Sequence, residues 1–538
     1  MKFDYLQYRY PSRRSVIFGQ RGMVCTSQPL AAQAGLDILK QGGNAADAII
    51  ATAACMTVLE PTSNGMGSDA FALYWNEKEK KLYGLNGSGY APSGLTLEGM
   101  QQKGYAKMPE RGWESVDVPG APSAWSELHK KFGKLPFTAL LQPAISYAEK
   151  GFPVHPIVGL LWKRAVNVFA PYKDKPEFQP FFATFFKKGV PAIGSLVRLP
   201  DHARTLRELA ETHCESFYRG DIAEAIVKFS KETGGCLSKE DLSNYRATWV
   251  SPIHTTYHGY EVCEIPPNGH GIVVLMTLNI LKQLALQQPQ HDAVETIHKQ
   301  IEAMKQAFID GQTYIGDPRS MQMSTDYLLS DAYAAKRAAE ITNVALDPRP
   351  VDPYCGGTVY LCAADQEGNM VSYIQSNYKG FGSGIVIPGY GIALNDRACD
   401  FKLDPESANC LAPGKKPYHT IIPGFLLKDG EAVGPFGVMG AYMQPQGHVQ
   451  VLMNMLDFGM NPQEALDAPR WQWLNKKKIV LEAGFGEGIV KALQQKGHDC
   501  HSTEDFTSFG RGQIILRKKD GILVGATESR TDGCVAAW

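Results

Sequence analysis

Hydrophobic positions recur at helical spacing over two early segments, Leu30 to Lys40 and Ala45 to Leu59. Gln41-Gly42-Gly43-Asn44 separates them, supplying a C-terminal glycine and an asparagine N-cap. The second segment is apolar nearly all round and is therefore expected to be buried. Ala70 to Trp75 and Lys81 to Leu85 read as the strands of a hairpin, and helical periodicity returns over 137–150, 203–212, 222–233, 272–284 and 293–308. The stretch Ile341 to Tyr354, with Pro348, Pro350 and Pro353, has no period and marks a loop or linker. From Gly357 onward short alternating strands dominate. The helices there are chiefly Gly447 to Phe458, with Val449, Leu452, Met453 and Leu456 on one face, and Gly488 to Gln495. A helix-rich first part that itself contains a hairpin, followed by a strand-rich second part, implies one shared sheet-containing core. The chain shows no internal repeat.

Composition narrows the partners. Of 538 residues 44% are hydrophobic and 20% charged, and 54 Lys+Arg against 55 Asp+Glu leave a net charge of -1. Such a balance lacks the positive excess of a nucleic-acid binder or a polybasic membrane surface, so a small molecule is the expected partner. Eleven cysteines are too sparse for a disulfide scaffold, and no C-x-x-C pair suggests zinc. The first ten residues lack the features of a secretory signal, and the longest apolar stretch, Ala48 to Leu59, is too short to span a bilayer. Reduced thiols and a cytoplasmic location without a membrane anchor are expected.

Common catalytic signatures are missing: no G-x-S-x-G, no G-x-x-x-x-G-K-[ST] and no H-E-x-x-H. The run Gly380-Phe381-Gly382-Ser383-Gly384 reads as a tight turn, since it does not join a strand to a helix at dinucleotide-fold spacing. The informative segment is Gly356-Gly357-Thr358 through Ala364, then Asp365-Gln366-Glu367-Gly368-Asn369, then Met370 to Ser376. Two alternating runs flank a five-residue loop. Pairing symmetric about Glu367 sets Ala364 opposite Met370, Tyr360 opposite Ile374 and Thr358 opposite Ser376, so two hydroxyls meet at the strand end. Thr358 can be an ordinary strand former after a loop. Alternatively it becomes an N-terminal nucleophile when the chain cuts itself after Gly357, which has no Cβ to obstruct the hydroxyl; the freed α-amine then serves as base.

This segment resembles the junction of the γ-glutamyltransferase (glutathione hydrolase) family of N-terminal-nucleophile hydrolases, whose Thr-x-x-x-(Ser/Cys)-x-x-Asp-x-x-Gly-Asn run is matched by Thr358, Cys362, Asp365, Gly368 and Asn369. Blocks at 30–35, 42–48, Val118-Pro119-Gly120, Gly316-Asp317-Pro318, 381–384 and Ala468-Pro469-Arg470 follow in the family's order and cover nearly the whole chain. The resemblance implies an α+β, four-layer αββα sandwich and cleavage into a helix-rich large chain, 1–357, and a strand-rich small chain, 358–538, that stay associated. It further implies Thr358 as nucleophile and Ser376 as the hydroxyl bonded to it. Gly440 and Ala441 would offer backbone N–H groups to the oxyanion, and Asp400 would be the carboxylate that receives a glutamyl α-amino group. No cofactor or metal is called for.

The departures concern substrate recognition. Ser88 stands where the family carries its α-carboxylate-binding arginine, His419 and Thr420 where many members have Ser-Ser, and Tyr378 in place of a polar contact residue. Arg397, close to Asn395 and three residues before Asp400, is the candidate replacement for the lost guanidinium. The connection from Asp400 to Pro417 is short, so the lid of some members is expected to be absent. The expected reaction is hydrolysis or transfer of the γ-glutamyl group of glutathione and related amides through an acyl-threonine. The alternative acyl groups are oxamate and glutaryl- or cephalosporin-type side chains. A competing class is an uncleaved binder that holds a small zwitterion with Arg397 and Asp400. A weaker one is a metal hydrolase using His291, Glu295 and His298, three residues that could share a helix face.

Overall fold

The computed structural model describes residues 4, 6, 13–284, 286, 289–348 and 357–538. Two seven-stranded antiparallel sheets stack face to face. The first runs Cys534–Ala537, Gly22–Thr26, Gly357–Asp365, Met370–Tyr378, Asp69–Asn76, Lys81–Gly87, Thr248–Val250. The second runs Ile17–Gly19, Leu523–Thr527, Arg511–Arg517, Glu431–Met439, Gly424–Lys428, Tyr260–Glu264, Ile253–Tyr257. Both sheets thus draw strands from either side of residue 357.

The period of two decides which side chain enters which layer. Along Gly357–Asp365, Val359, Leu361 and Ala363 join the cluster formed with helices Pro29–Lys40 and Ala45–Leu59. Tyr360, Cys362 and Ala364 join the cluster that holds Phe436, Val438 and Ile514 of the second sheet. Helices Gly271–Gln283, Val294–Tyr314 and Met443–Leu456 cover the second sheet's other face. The result is the expected helix–sheet–sheet–helix sandwich.

Helix Ala45–Leu59 is buried along its whole length. Asn44 caps it as predicted: the Asp47 N–H donates to Asn44 Oδ1 at 3.0 Å and the Asn44 N–H to Asp47 Oδ2 at 3.2 Å. Its first N–H, on Ala45, donates to Asp365 Oδ2 at 2.9 Å, which fastens the helix to the tip of the central hairpin. Two helices exceed their predicted bounds. Met443–Leu456 begins four residues before Gly447, because Pro445 lies in the first turn, where a missing N–H costs nothing. Val294–Tyr314 continues past Phe308 through Gly311, where a Cβ would fall 2.7 Å from Val273 of the neighbouring helix. That glycine serves close packing and does not stop the helix.

The predicted linker is irregular from Ile341 to Pro348, and its remainder lies outside the described residues. Side chains fix it where secondary structure does not. Leu346 N–H donates to Glu302 Oε2 at 2.8 Å, Lys305 Nζ donates to the Leu346 carbonyl at 3.0 Å, and His298 Nε2 lies 2.8 Å from the Thr342 carbonyl. Among the described residues no helix is long and apolar enough to cross a membrane, and none of the ten cysteines described is in a disulfide.

One buried set of charges is closely matched. Glu528 accepts from Arg470 Nη2 at 2.8 Å, Arg530 Nη1 at 2.6 Å and the Gly512 N–H at 2.9 Å. Burial pushes its carboxyl up, but Arg470 and Arg530 more than offset this and hold it at about 2. Removing one partner of such a buried set costs about 3 to 5 kcal/mol. Glu528→Ala is therefore expected to lower unfolding stability by that amount in urea titrations. Because the folded carboxyl titrates below its ordinary value, its contribution is complete above roughly pH 4.5 and is lost as pH falls toward about 2. The wild-type advantage over Glu528→Ala should therefore shrink across that window, and an advantage independent of pH would contradict the assignment.

Candidate active site

The central hairpin pairs Ala364 with Met370 and Tyr360 with Ile374, the symmetric register expected from sequence. The last step differs. Val359 pairs with Gln375 but Gly357 pairs with Tyr378, so the partner strand carries one extra residue, and Thr358 does not sit squarely opposite Ser376. Asn377 supplies the cause. Its N–H goes to the Ser63 carbonyl at 3.3 Å, its carbonyl accepts from the Asp396 N–H at 3.1 Å and its Oδ1 from Ser68 Oγ at 2.7 Å, which draws it out of the ladder.

Despite the bulge the two hydroxyls meet: Thr358 Oγ1 and Ser376 Oγ are 3.0 Å apart, both fully or almost fully buried. Ser376 Oγ donates to the Gly357 carbonyl at 2.8 Å and accepts the Tyr378 N–H at 2.7 Å. A serine hydroxyl has one proton. Since that proton is on the Gly357 carbonyl, the Thr358 hydroxyl must be the donor toward Ser376. Gly357 sits in a close space: a Cβ there would lie 3.0 Å from Ser63 Cα and from the Thr62 carbonyl oxygen, so a side chain would press on both.

Gly440 and Ala441 form the turn between strand Glu431–Met439 and helix Met443–Leu456. Both have positive φ, 139° and 51°, and Ala441 is a non-glycine residue held in the left-handed region. The strand feeding this turn faces the Thr358 strand across the sandwich, where a Cβ on Gly437 would come within 2.4 Å of the Tyr360 ring. A helix N-terminus at such a turn directs N–H groups outward and favours negative charge.

Tyr378, with φ of 77°, joins the hydroxyl pair to the polar residues beyond it. Its own hydroxyl donates to Asp400 Oδ1 at 2.7 Å, and the Arg397 guanidinium carbon lies 3.7 Å from its ring centroid. Arg397 Nη1 donates to Thr420 Oγ1 at 2.8 Å and to Asp400 Oδ2 at 3.1 Å. Asn395 braces this turn: its Oδ1 accepts the N–H groups of Arg397 at 3.1 Å and Asp117 at 3.3 Å.

Behind these residues is a charged group that the sequence reading did not single out. Ser88 is fully buried and its Oγ donates to Asn86 Oδ1 at 2.7 Å. Lys416 Nζ lies 2.6 Å from the Ser88 carbonyl and 3.2 Å from its Oγ. A cation therefore stands beside Ser88, and it arrives from a distant segment of the chain. Burial pulls the Lys416 ammonium down to about 8, against the pull of Asp69 and Asp117. Burial raises the Asp69 carboxyl to about 7, opposed by Arg397 and Lys416, and raises Asp117 well above its ordinary range with Asp69 adding to the effect. His419 faces Asp69 at 2.9 Å and is held well below its ordinary value by burial, with Arg397 the next cause.

His291, Glu295 and His298 do not converge. His291 stacks on Phe485 at 5.4 Å, Glu295 pairs with Lys496 at 2.7 Å, and His298 Nδ1 contacts His498 Nε2 at 2.9 Å. A different triple, His298, Glu302 and His498, brings its ligand atoms within 4.8 Å of one another. Lys305 Nζ, 2.7 Å from Glu302 Oε1, already places a positive charge there.

A four-layer αββα sandwich with a threonine hydroxyl at the head of a central strand, buried between the sheets, has the architecture of the N-terminal-nucleophile hydrolases. The family described as Gamma-glutamyltranspeptidase matches residues 31–538, and the chain belongs to that family. It is 33% identical to the glutathione hydrolase-like YwrD proenzyme of Bacillus subtilis (strain 168) over 524 residues, 96% of this chain and 98% of the relative. It is equally, 33%, identical to the oxamate amidohydrolase proenzyme of Klebsiella pneumoniae over 531 residues, with the same coverage. Among solved structures, a cephalosporin acylase from Bacillus halodurans superposes with a TM-score of 0.96 at 55% identity, covering 100% of this chain and 99% of that one.

The neighbourhood of Ser88 yields a direct test. Ser88→Ala removes the bonds to Asn86 and Asn268 and one acceptor of the Lys416 ammonium, and should cost about 2 kcal/mol. Restoring the family's residue with Ser88→Arg sets a second buried cation against Lys416 and should cost about 3 kcal/mol or more. Urea midpoints decide; equal stability of the two variants would show that the site is roomier than the contacts around Ser88 require.

Proposed function

We propose that the protein is a self-cleaving amidohydrolase whose nucleophile is Thr358 and whose substrate is an amide of a small acyl group bearing a carboxylate. The observation that carries this is the three-sided bonding of Ser376. Its proton polarises the Gly357 carbonyl while its oxygen receives the Thr358 hydroxyl. Thr358 Oγ1 attacks the Gly357 carbonyl carbon, the C–N bond breaks in an N-to-O acyl shift, and water hydrolyses the ester, leaving a carboxylate on Gly357 and a free α-amine on Thr358. That amine, with an ordinary pKa near 8, is then the base for its own hydroxyl.

In turnover the same oxygen attacks the substrate amide. The acyl-threonine forms with the leaving amine protonated, and water or an amine releases the acyl group. The N–H groups of Gly440 and Ala441 stabilise the tetrahedral oxyanion. The large chain, 1–357, and the small chain, 358–538, stay together because each sheet is built from both. The substrates in view are γ-glutamyl amides such as glutathione, and the oxamate- and cephalosporin-type amides that relatives' names point to.

Intact mass of the purified protein tests the core of the proposal. Wild type should give two fragments of 357 and, by 538 − 357, 181 residues, while Thr358→Ala stays whole and inert. Ser376→Ala should slow both cleavage and turnover by about a hundredfold, the usual loss for one donor on a developing oxyanion. Gly357→Ala should slow cleavage because its Cβ would press on Thr62 and Ser63. Wild type that remains a single chain would favour the uncleaved binder, and a Thr358→Ala protein that is cleaved would overturn Thr358 as the nucleophile.

A further inference from the structure

The Arg397–Asp400 pair bears on which carboxylate-bearing acyl group fits. Both Asp400 oxygens are engaged, Oδ1 by the Tyr378 hydroxyl and Oδ2 by Arg397 Nη1, and its side chain is only 9% exposed. Its charge is matched from within the chain. An incoming ammonium would have to displace a guanidinium to reach it.

Arg397 shows the opposite condition. Nη1 serves Asp400 and Thr420, and one face lies on the Tyr378 ring, yet Nε and Nη2 have no hydrogen-bond partner among the described residues although the side chain is 1% exposed. A buried charged donor left unbonded is costly. Nε–H and the adjacent Nη2–H point in parallel and form the edge that grips a carboxylate through two bonds. This edge belongs to the site of Thr358: the ring that Arg397 covers is that of Tyr378, whose N–H holds Ser376 Oγ beside Thr358 Oγ1.

We infer that the buried, unbonded Nε/Nη2 edge of Arg397 binds the terminal carboxylate of the acyl group and that Arg397, by occupying Asp400, selects against an α-ammonium beside that carboxylate. The substrate class is then the monoamide of an unsubstituted dicarboxylic acid, of glutaryl type, in preference to a γ-glutamyl amide. The inference rests on Thr358 being the nucleophile. It assigns Arg397 and Asp400 different tasks: one binds the substrate, the other positions the guanidinium through Nη1.

Glutaryl-p-nitroanilide and L-γ-glutamyl-p-nitroanilide, differing only in the α-amino group, supply the test on matured enzyme. Wild type should favour the glutaryl amide in kcat/KM by about tenfold or more, the scale of one charged hydrogen bond. Arg397→Gln should raise KM for the glutaryl amide while leaving Asp400 open to an ammonium, so the preference narrows or inverts. Asp400→Asn, which withdraws the anion competing for the guanidinium, should lower KM for the glutaryl amide and provides a second readout should Arg397→Gln fail to fold. Processed wild type that prefers the γ-glutamyl amide overturns this inference alone, as does a preference untouched by either substitution. Processed enzyme inert on both amides also overturns it, whereas an unprocessed chain overturns the nucleophile assignment beneath it.

Discussion

The Ser376 hydroxyl has one proton and three neighbours. Because the Tyr378 N–H donates to its oxygen and the Gly357 carbonyl takes its proton, the direction of the bond from Thr358 is settled by elimination. Much of the surrounding architecture serves to hold this arrangement. Asn377, drawn aside by Ser63, Ser68 and Asp396, makes the bulge that brings Tyr378 N–H back under Ser376. Thr62 and Ser63 crowd residue 357, where glycine fits without displacing either. Tyr378, kept at positive φ, turns its ring outward to carry Arg397 and Asp400. Local strain at a non-glycine residue persists only where its surroundings over-determine it, and here they do.

Burying this much polarity requires compensation, and the compensation differs from place to place. Around Glu528 the charges are balanced by two arginines, and the carboxyl stays ionised far into acid. Around Asp69 and Asp117 the carboxyls are pushed up while Lys416 is pulled down, so protonating a carboxyl or deprotonating the ammonium relieves the cost of burial. The first network supports the sheets and the second borders the proposed substrate pocket. A pocket that must accept a charged ligand benefits from neighbours able to change protonation.

The hairpin register was legible because period-two alternation fixes which face each residue takes, and a loop centred on Glu367 leaves little freedom. The bulge was not legible, since its cause is Asn377 bonding to Ser63 and Ser68, far earlier in the chain, and to Asp396 beyond it. Helix Ala45–Leu59 and its Asn44 cap followed from local chemistry alone. Helix Val294–Tyr314 runs past the predicted end at Phe308, and Gly311 within it lies against Val273 of a helix whose position the sequence does not reveal. Asp400 is a candidate through the family resemblance and Arg397 through its place three residues before it, but that they pair with each other, and so alter what the pocket accepts, needed coordinates. Lys416 was hidden for the same reason: nothing local connects it to Ser88. The helix-face triple of His291, Glu295 and His298 failed because periodicity places residues on a face without saying what faces them.

The interleaving of strands has a consequence for biosynthesis. Strand Gly22–Thr26, beside the Thr358 strand, pairs on its other edge with Cys534–Ala537, and the sheet lying over both takes Glu431–Met439, Arg511–Arg517 and Leu523–Thr527. None of these late strands exists while the ribosome is still making the middle of the protein. Pairing between distant segments waits for the whole of both. The walls that enclose Thr358 are thus among the last parts to be synthesised, and a truncated translation product would carry the threonine without the sheet that buries it. Order of synthesis by itself keeps the proposed nucleophile unenclosed until the chain is complete.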